Sequence, residues 1–211
     1  MKKYKCIIFD CDGVLVDTEV TSNQLLVEMA NDYGANIDLD YAMKHFKGSH
    51  FRDCLKLIKT LVTKSVSETF EQDYRTELDK RFKDTVKPIK GIKNVIEKLD
   101  VSFCVASSGT DEKIRLNLGL VGLLDAFEGK IFSCYTIQKW KPDPDIFLLA
   151  AKTMGYSPEN CLVVEDSKLG VQGALNGGFD VYGYTEHDYY NELEGLATKT
   201  FSKMEDLIEI L

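Results

Sequence analysis

Three short apolar runs constrain the fold of this chain more than any other feature of its sequence. Residues 6–9, 103–106 and 161–164 read CIIF, FCVA and CLVV, without the polar alternation of a strand that has one wet face. Unbroken runs of this length are typical of parallel strands buried on both faces. Weaker apolar segments near residues 131–132 and 181–182 extend the series. The sequence therefore predicts a parallel sheet at the centre of the protein.

Helical patterns lie between these runs. The apolar positions 92, 95, 96 and 99 repeat with helical spacing and form one stripe. Asp143 and Pro144 resemble an N-cap and the first position of a helix that Gly155 would close. Alternating strands and helices predict an α/β fold, a doubly wound parallel sheet with a Rossmann-like core, which we assign to residues 1–16 and 87–211.

Residues 17–86 break this alternation. Apolar stripes at positions 26, 29, 30 and 33, and at 51, 55, 58 and 62, indicate helices, and no segment in between has the pattern of a strand. The sequence thus predicts a helical domain over residues 17–86, inserted after the first strand, with the chain returning to the core near Lys87 and Pro88.

The composition of the chain argues against some classes of binding partner. The 211 residues carry a net charge of −8, which argues against nucleic acid or an anionic membrane as the ligand. No apolar run approaches the roughly 20 residues that span a bilayer, and the apolar run after the basic N-terminus is too short for a signal peptide. The six cysteines form no C-x-x-C pair and are expected to be reduced and structural. We expect a cytoplasmic protein, and we favour a monomer.

Polar residues cluster where the predicted strands end. In an open α/β sheet, ligands bind beyond the carboxyl ends of the strands, so four separate segments should meet there. These segments contribute Asp10 and Asp12, then Ser107, Ser108 and Gly109, then Lys141, and finally Glu165 and Asp166.

The residue types at these strand ends suit phosphate chemistry. A carboxylate such as Asp10 can attack phosphorus, but it needs a hard cation such as Mg²⁺ to approach a dianion. Asp10 and Asp166 could hold that ion, while Lys141 neutralises charge and Ser107 donates to phosphoryl oxygens. Asp12, two residues beyond the nucleophile, could protonate the leaving oxygen and then activate water.

In this order, the motifs resemble those of the haloacid dehalogenase superfamily, specifically its phosphatases. The resemblance covers essentially the whole chain and implies Asp10 as the nucleophile and Asp12 as the general acid/base. It implies Mg²⁺ contacts from Asp10, the Asp12 carbonyl and Asp166, and it leaves open whether Glu165, where many members have Asp, touches the metal. It also implies that the helical insertion at 17–86 is a small cap that closes over the substrate.

Each motif has a less specific interpretation when taken alone. Asp10-Cys11-Asp12 could be a solvated turn; an EF-hand loop is excluded because Gly13 falls at position four instead of six. Lys141 alone could be a surface lysine, and Ser107 could cap the helix near Asp111. Glu165-Asp166 could be a helix N-cap. The conjunction of four motifs in order favours the catalytic interpretation.

The predicted substrate class depends on residues of the inserted helical domain. Its segment around Lys47 and Arg52 is basic in an acidic protein and could bind a second anionic group of a phosphosugar. The motifs look most like those of 6-phosphogluconate phosphatases and next like those of beta-phosphoglucomutases. The latter often carry a His about a dozen residues after the nucleophile, where this chain has Thr21, Ser22 and Asn23. A binding or regulatory member without catalysis is the alternative from another class.

Overall fold

The computed structural model describes residues 3–47, 49 and 51–211. The chain separates into two compact units, one formed by Met1–Asp17 with Lys87–Leu211 and the other by Thr18–Val86. The second unit is therefore inserted between two segments of the first. Within the described ranges, no helix combines the length and apolar character that a membrane crossing needs.

The first unit is built on a parallel sheet. The strands of the protein are β1 (Cys6–Phe9), β2 (Val16–Asp17), β3 (Lys87–Pro88), β4 (Ser102–Ser107), β5 (Ile131–Ser133), β6 (Cys161–Glu165), β7 (Asp180–Tyr184) and β8 (Lys199–Phe201). Six of them form one sheet in the order β5-β4-β1-β6-β7-β8, and every neighbouring pair is parallel. β2 and β3 form a separate antiparallel pair.

The three apolar runs form the centre of this sheet. Ile8 of β1 is in register with Cys104 of β4 and with Val163 of β6, and none of the three side chains reaches solvent. This confirms the prediction of parallel strands buried on both faces, and the weaker segments form β5 and β7. Because the sheet grows in opposite directions from β1, the end of β1 is the point where such folds bind ligands.

The inserted unit contains the first helices of the chain, α1 (Glu19–Asp32), α2 (Leu39–His45), α3 (Phe51–Leu61) and α4 (Phe70–Thr85). They bury one apolar cluster of their own, which includes Leu26, Ala30, Ile58 and Phe82. Aromatic rings pack against one another in this cluster, with the Phe51 ring stacked on that of Tyr74 at a centroid separation of 5.0 Å. The unit therefore has a core that is independent of the sheet.

The remaining helices of the chain belong to the first unit. They are α5 (Ile92–Lys98), α6 (Asp111–Leu120), α7 (Leu124–Phe127), α8 (Cys134–Ile137), α9 (Asp145–Met154), α10 (Lys168–Asn176) and α11 (Leu207–Ile210), with 3-10 turns at Pro158–Asn160 and Met204–Asp206. Ile8 belongs to a core cluster with Phe147 of α9 on one face of the sheet. Phe9, which points to the other face, meets the edge of Phe127 in α7 at 6.4 Å between centroids. Helices thus cover both faces, which confirms the doubly wound α/β class.

Two smaller predictions have different outcomes. Gly155 closes α9 in the left-handed conformation with φ of 84°, as predicted. The prediction of Asp143 as the N-cap of this helix is wrong, because the helix begins at Asp145 with Pro144 at the cap position. Asp143 instead lies in a turn in which its amide donates to the carbonyl of Trp140, at 2.9 Å. All six cysteines are free thiols and buried, as the sequence indicated.

Candidate active site

Asp10 lies at the switch point of the sheet, directly after β1. Its amide donates to the carbonyl of Val164 in β6, at 2.9 Å, so the backbone of the neighbouring strand fixes its position. Its side chain is almost entirely buried, and so are those of Lys141, Glu165 and Asp166. The structure therefore gathers at this point four charged residues from three distant segments of the sequence.

Lys141 is the positive charge of this cluster. Its ammonium donates to Asp10 Oδ1 and to Glu165 Oε1, the latter at 2.5 Å, and it lies 5.0 Å from the centre of the Phe147 ring. Burial alone would lower the pKa of Lys141, but the facing carboxylates of Asp10 and Glu165 outweigh it and raise that pKa above its ordinary value. Lys141 is thus a permanent cation, held in place by two carboxylates.

Glu165 is held by the beginning of helix α10. Its Oε2 accepts hydrogen bonds from both the amide and the hydroxyl of Ser167, each at 2.9 Å, while its Oε1 accepts from Lys141. The helix also needs a glycine here, because a Cβ on Gly170 would overlap the Glu165 carboxylate. Ser167 is the N-cap of α10, so the expectation that Glu165-Asp166, taken alone, could cap a helix does not describe this site.

Asp166 faces the loop that follows Asp12. A Cβ on Gly13 would stand 2.6 Å from Cγ of Asp166, closer than any non-bonded contact. Gly13 also has φ of +82°, a conformation that side chains rarely adopt. The backbone after Asp12 and the carboxylate of Asp166 therefore approach each other as closely as glycine permits.

The charges of the cluster do not cancel. Three carboxylates, Asp10, Glu165 and Asp166, face one ammonium, that of Lys141, so the fully ionised cluster has a net charge of −2 in a buried environment. Burial raises the pKa of Asp10 well above its ordinary value; Lys141 lowers it, and the negative charges of Glu165 and Asp166 raise it again. A divalent cation would balance this excess.

The donor chemistry fits Mg²⁺. No group of three or more His, Cys, Asp or Glu side chains is gathered as a metal cluster anywhere in the described ranges. Mg²⁺, however, usually takes only one or two protein carboxylates and completes its octahedron with water and substrate phosphate. Asp10 and Asp166, together with the Asp12 carbonyl beside Gly13, offer such a set of hard oxygen donors.

Asp12 has a different environment from Asp10. Lys113 donates to its Oδ2 at 2.8 Å and Asn117 to its Oδ1 at 3.1 Å, so helix α6 occupies both carboxylate oxygens. The side chains of Asp12 and Lys113 are 21% and 23% exposed, whereas Asn117 is completely buried. The sequence analysis missed Lys113 and Asn117. Lys113 and Asn117 are four residues apart and therefore lie on one face of α6, just after the Ser107 loop. This spacing is the sequence feature that could have identified them.

The segment after β4 forms a compact loop. Ser107 Oγ accepts from the amide of Gly109 at 3.1 Å, and the carbonyl of Gly109 accepts from Ser133 Oγ at 2.6 Å. The alternative that Ser107 caps the following helix is wrong, because Thr110 Oγ1 accepts from the Lys113 amide and is the N-cap of α6. Ser108 is half-buried, with its hydroxyl 4.0 Å from the sulfur of Cys134. Gly109 is thus held by hydroxyl groups on both of its sides.

The remaining predicted site residues belong to the inserted unit. Lys47 lies in the turn after α2, and Arg52 is an exposed residue in the first turn of α3. Gly48 and His50, which the sequence analysis included in the same basic segment, lie outside the described residues. Lys47 and Arg52 therefore remain predictions as substrate contacts.

Known proteins resemble the whole chain. The family model for haloacid dehalogenase-like hydrolases matches residues 7–184. The 6-phosphogluconate phosphatase of Escherichia coli K12 is 30% identical over 211 residues, which cover 100% of this chain and 96% of that protein. A haloacid dehalogenase-like protein of unknown function from Agrobacterium tumefaciens superposes with a TM-score of 0.88 at 31% identity, covering 98% and 97% of the two chains. A candidate beta-phosphoglucomutase from Thermotoga maritima superposes with a TM-score of 0.76 at 26% identity, covering 98% and 97%.

The chain belongs to the haloacid dehalogenase-like hydrolase family. Within that family it is an enzyme of the phosphatase type, in agreement with the resemblance seen in the sequence.

Proposed function

We propose that this enzyme hydrolyses a small phosphorylated sugar or sugar acid, with Mg²⁺ as cofactor and a phosphoaspartyl intermediate on Asp10. The observation that carries this proposal is the buried cluster at the switch point, where Asp10 contacts Lys141 and the cluster has a net charge of −2. An excess of buried carboxylates is unfavourable unless a cation shares the site. A bound cation would also attract an anionic phosphate.

Asp10 is proposed as the nucleophile. One of its oxygens bonds to the phosphorus of the substrate while the bond from phosphorus to the sugar oxygen breaks. Lys141 remains charged and offsets the negative charge of the transferred group, and Glu165 holds the ammonium in place through Oε1. The amides and hydroxyls of residues 107–109 are proposed to donate to the phosphoryl oxygens.

Asp12 is proposed to move the protons. It gives a proton to the departing sugar oxygen and later takes one from the water that attacks phosphorus, so that inorganic phosphate leaves and Asp10 is restored. Asp10, the Asp12 carbonyl and Asp166 are proposed to hold Mg²⁺, which when bound supplies the positive charge that the cluster lacks. Glu165 is proposed to support Lys141 rather than to bind the metal, since donors already occupy both of its oxygens.

The substrate class follows from the relatives. The 30% identical relative is a 6-phosphogluconate phosphatase, and this chain matches 96% of its length. The proposed cap at residues 17–86 would select the substrate, with Lys47 and Arg52 available for a second anionic group such as a sugar carboxylate. We propose phosphorylated small molecules as the only ligands besides the metal, and a monomer in the cytoplasm.

A phosphosugar mutase is the second candidate, favoured by the likeness to the Thermotoga maritima structure. Mutase and phosphatase would share the phosphoaspartyl step and differ in whether water or a second sugar hydroxyl accepts the phosphoryl group. The choice therefore depends on the acceptor and not on the buried cluster.

The test is a panel of phosphosugars that includes 6-phosphogluconate and beta-glucose 1-phosphate, each with Mg²⁺ and with EDTA. Released phosphate and glucose 6-phosphate would be measured in parallel, with and without a bisphosphate primer. We expect Mg²⁺-dependent phosphate release without a primer. Primer-dependent isomerisation with negligible phosphate release would replace the proposal with the mutase. Binding without turnover of any compound would identify a non-catalytic member.

A further inference from the structure

We propose that Asn117 and Lys113, two side chains of helix α6, position Asp12 for proton transfer, with Asn117 as a fixed partner and Lys113 as an exchangeable one. This inference rests on the proposed role of Asp12 as the general acid/base. It adds two residues to the machinery that none of the four strand-end motifs contains.

The geometry of the contact is specific for a carboxylate. Asn117 Nδ2 lies 3.1 Å from Oδ1 and Lys113 Nζ lies 2.8 Å from Oδ2, so each carboxylate oxygen has its own donor. Two donors on separate oxygens fix both the position and the rotation of the carboxylate plane. Because Lys113 and Asn117 are four residues apart on one helix, α6 presents them as a pair.

Asn117 is suited to be the fixed partner. Its side chain has no exposed surface, and its own Oδ1 has no hydrogen-bond partner among the residues that the structure describes. A flipped amide would turn that oxygen toward the Asp12 carboxylate, so the contact with Asp12 determines the orientation of the amide. Buried polar side chains normally have partners for all their polar atoms. An amide that is buried although only its NH₂ group is paired therefore indicates that the bond to Asp12 is the reason for its position.

Lys113 is suited to be the exchangeable partner. Its side chain is 23% exposed and ends a flexible stem, so its ammonium can leave Oδ2 without opening the core. A departing sugar oxygen must reach one oxygen of Asp12, and of these two donors, Lys113 on Oδ2 is partly exposed whereas Asn117 on Oδ1 is buried.

The catalytic cycle then uses one oxygen of Asp12 throughout. In the first half, the proton on Oδ2 moves to the sugar oxygen as its bond to phosphorus breaks. In the second half, water bonds to phosphorus as the bond from phosphorus to the Asp10 oxygen breaks, and the proton of the water goes to Oδ2, which restores the starting state. Lys113 keeps its charge in both halves and returns to Oδ2 whenever that oxygen is ionised, while Asn117 remains on Oδ1.

The test compares two leaving groups. A sugar alkoxide needs a proton to depart and p-nitrophenolate does not, so loss of acid catalysis lowers kcat/KM, which covers the steps up to departure of the leaving group, far more for the phosphosugar than for p-nitrophenyl phosphate. Loss of the base role slows the second half for both substrates and does not enter kcat/KM. Lys113→Met and Asn117→Leu remove the two donors, Lys113→Arg keeps one, and Asp12→Asn is the reference. Arg115→Met is the matched control, because Arg115 lies on the same helix but pairs with Asp111 and Glu128.

We expect Lys113→Met and Asn117→Leu to lower kcat/KM for the best phosphosugar of the panel by about 10-fold or more, and for the aryl phosphate by less than about 3-fold. Lys113→Arg should recover most of the loss, and Arg115→Met should change neither rate. Should Asn117→Leu fail to fold, as judged by its thermal midpoint, the two Lys113 variants decide the matter.

The failures are distinguishable. If Asp12→Asn discriminates between the leaving groups but the Lys113 variants do not, the positioning role is wrong and the proposed function stands. Equal losses on both substrates in Lys113→Met also overturn the inference. If Asp12→Asn itself fails to discriminate, Asp12 is not the general acid, and both proposals are wrong on this point.

Discussion

Asp10 and Asp12 follow strand β1 and lie two residues apart, yet their surroundings differ in burial, charge and partners. The Asp10 carboxylate is buried and contacts a buried lysine within a cluster that contains two further carboxylates. The Asp12 carboxylate is partly exposed and lies between a partly exposed lysine and a buried amide. The enclosed carboxylate is the proposed nucleophile, and the carboxylate with a partly exposed partner is the proposed acid and base.

The largest expected effect is the difference in catalytic rate between variants of Asp10 and of Asp12. Asp10→Asn should lower kcat by more than about 10⁴-fold for any phosphate ester, as loss of a nucleophile does. Asp12→Asn should lower kcat/KM by about 10²–10⁴-fold where the leaving group needs a proton, and by much less for an aryl phosphate. Steady-state kinetics on a phosphosugar and an aryl phosphate measures both. Similar profiles for the two variants would remove the distinction between nucleophile and acid.

The second prediction separates the two lysines by stability. Lys141→Met leaves buried carboxylates without their cation and should lower the free energy of unfolding by about 3–5 kcal/mol. Lys113→Met breaks a partly exposed pair and should cost at most about 1 kcal/mol. Urea denaturation of both variants in the metal-free state provides the values. Equal losses would show that the Asp10 cluster is no more enclosed than Asp12.

The third prediction concerns the metal. Mg²⁺ at 100 times its dissociation constant should stabilise the folded protein by about 2.7 kcal/mol, because it binds only the assembled site. Asp166→Asn should abolish this stabilisation, whereas Glu165→Gln should retain most of it, since Glu165 is proposed to hold Lys141. Thermal midpoints with and without Mg²⁺ test this. If the Glu165 variant loses the effect as completely as the Asp166 variant, then Glu165 binds the metal.

The smallest effect is on pH dependence. Burial and the carboxylates of Glu165 and Asp166 raise the folded-state pKa of Asp10 above its ordinary value of 3.8. The folded protein then binds a proton that the unfolded chain has released, so the stability of the metal-free enzyme falls as pH rises through that interval. Asp10→Asn should flatten this slope and Asp12→Asn should not. Thermal midpoints measured from pH 4 upward, in EDTA, would show a slope unaffected by Asp10→Asn if this explanation is wrong.

The sequence was sufficient for the fold because the information was local. Runs such as residues 161–164 are apolar at every position, and only a strand with two covered faces needs that pattern. The gathering of Asp10, Lys141 and Asp166 then follows from the general rule that ligands bind at strand ends. The rule needs only that the sheet be parallel.

The remaining features depend on distances that no local pattern contains. Asn117 resembles an ordinary helix residue until α6 is placed against the loop of Asp12. Asp143 looked like an N-cap, but the preceding turn begins at Trp140 and the helix starts one residue later than predicted. Glu165 resembles a metal ligand in the sequence; in the structure Lys141 and Ser167 donate to its two carboxylate oxygens, and its part in metal binding stays a prediction. The contact of Asn117 with Asp12 lies outside any local pattern, because it joins residues 105 positions apart.

Gly170 has a consequence for any attempt to make this enzyme more robust. It lies inside α10, where replacing glycine with alanine ordinarily adds about 0.5–1 kcal/mol of helix stability. Here the methyl group would meet the Glu165 carboxylate and push it against Lys141, the residue that contacts Asp10. The substitution that strengthens other helices would here disturb Asp10, the proposed nucleophile. Glycine leaves this helix less stable but keeps the space that the Glu165 carboxylate occupies.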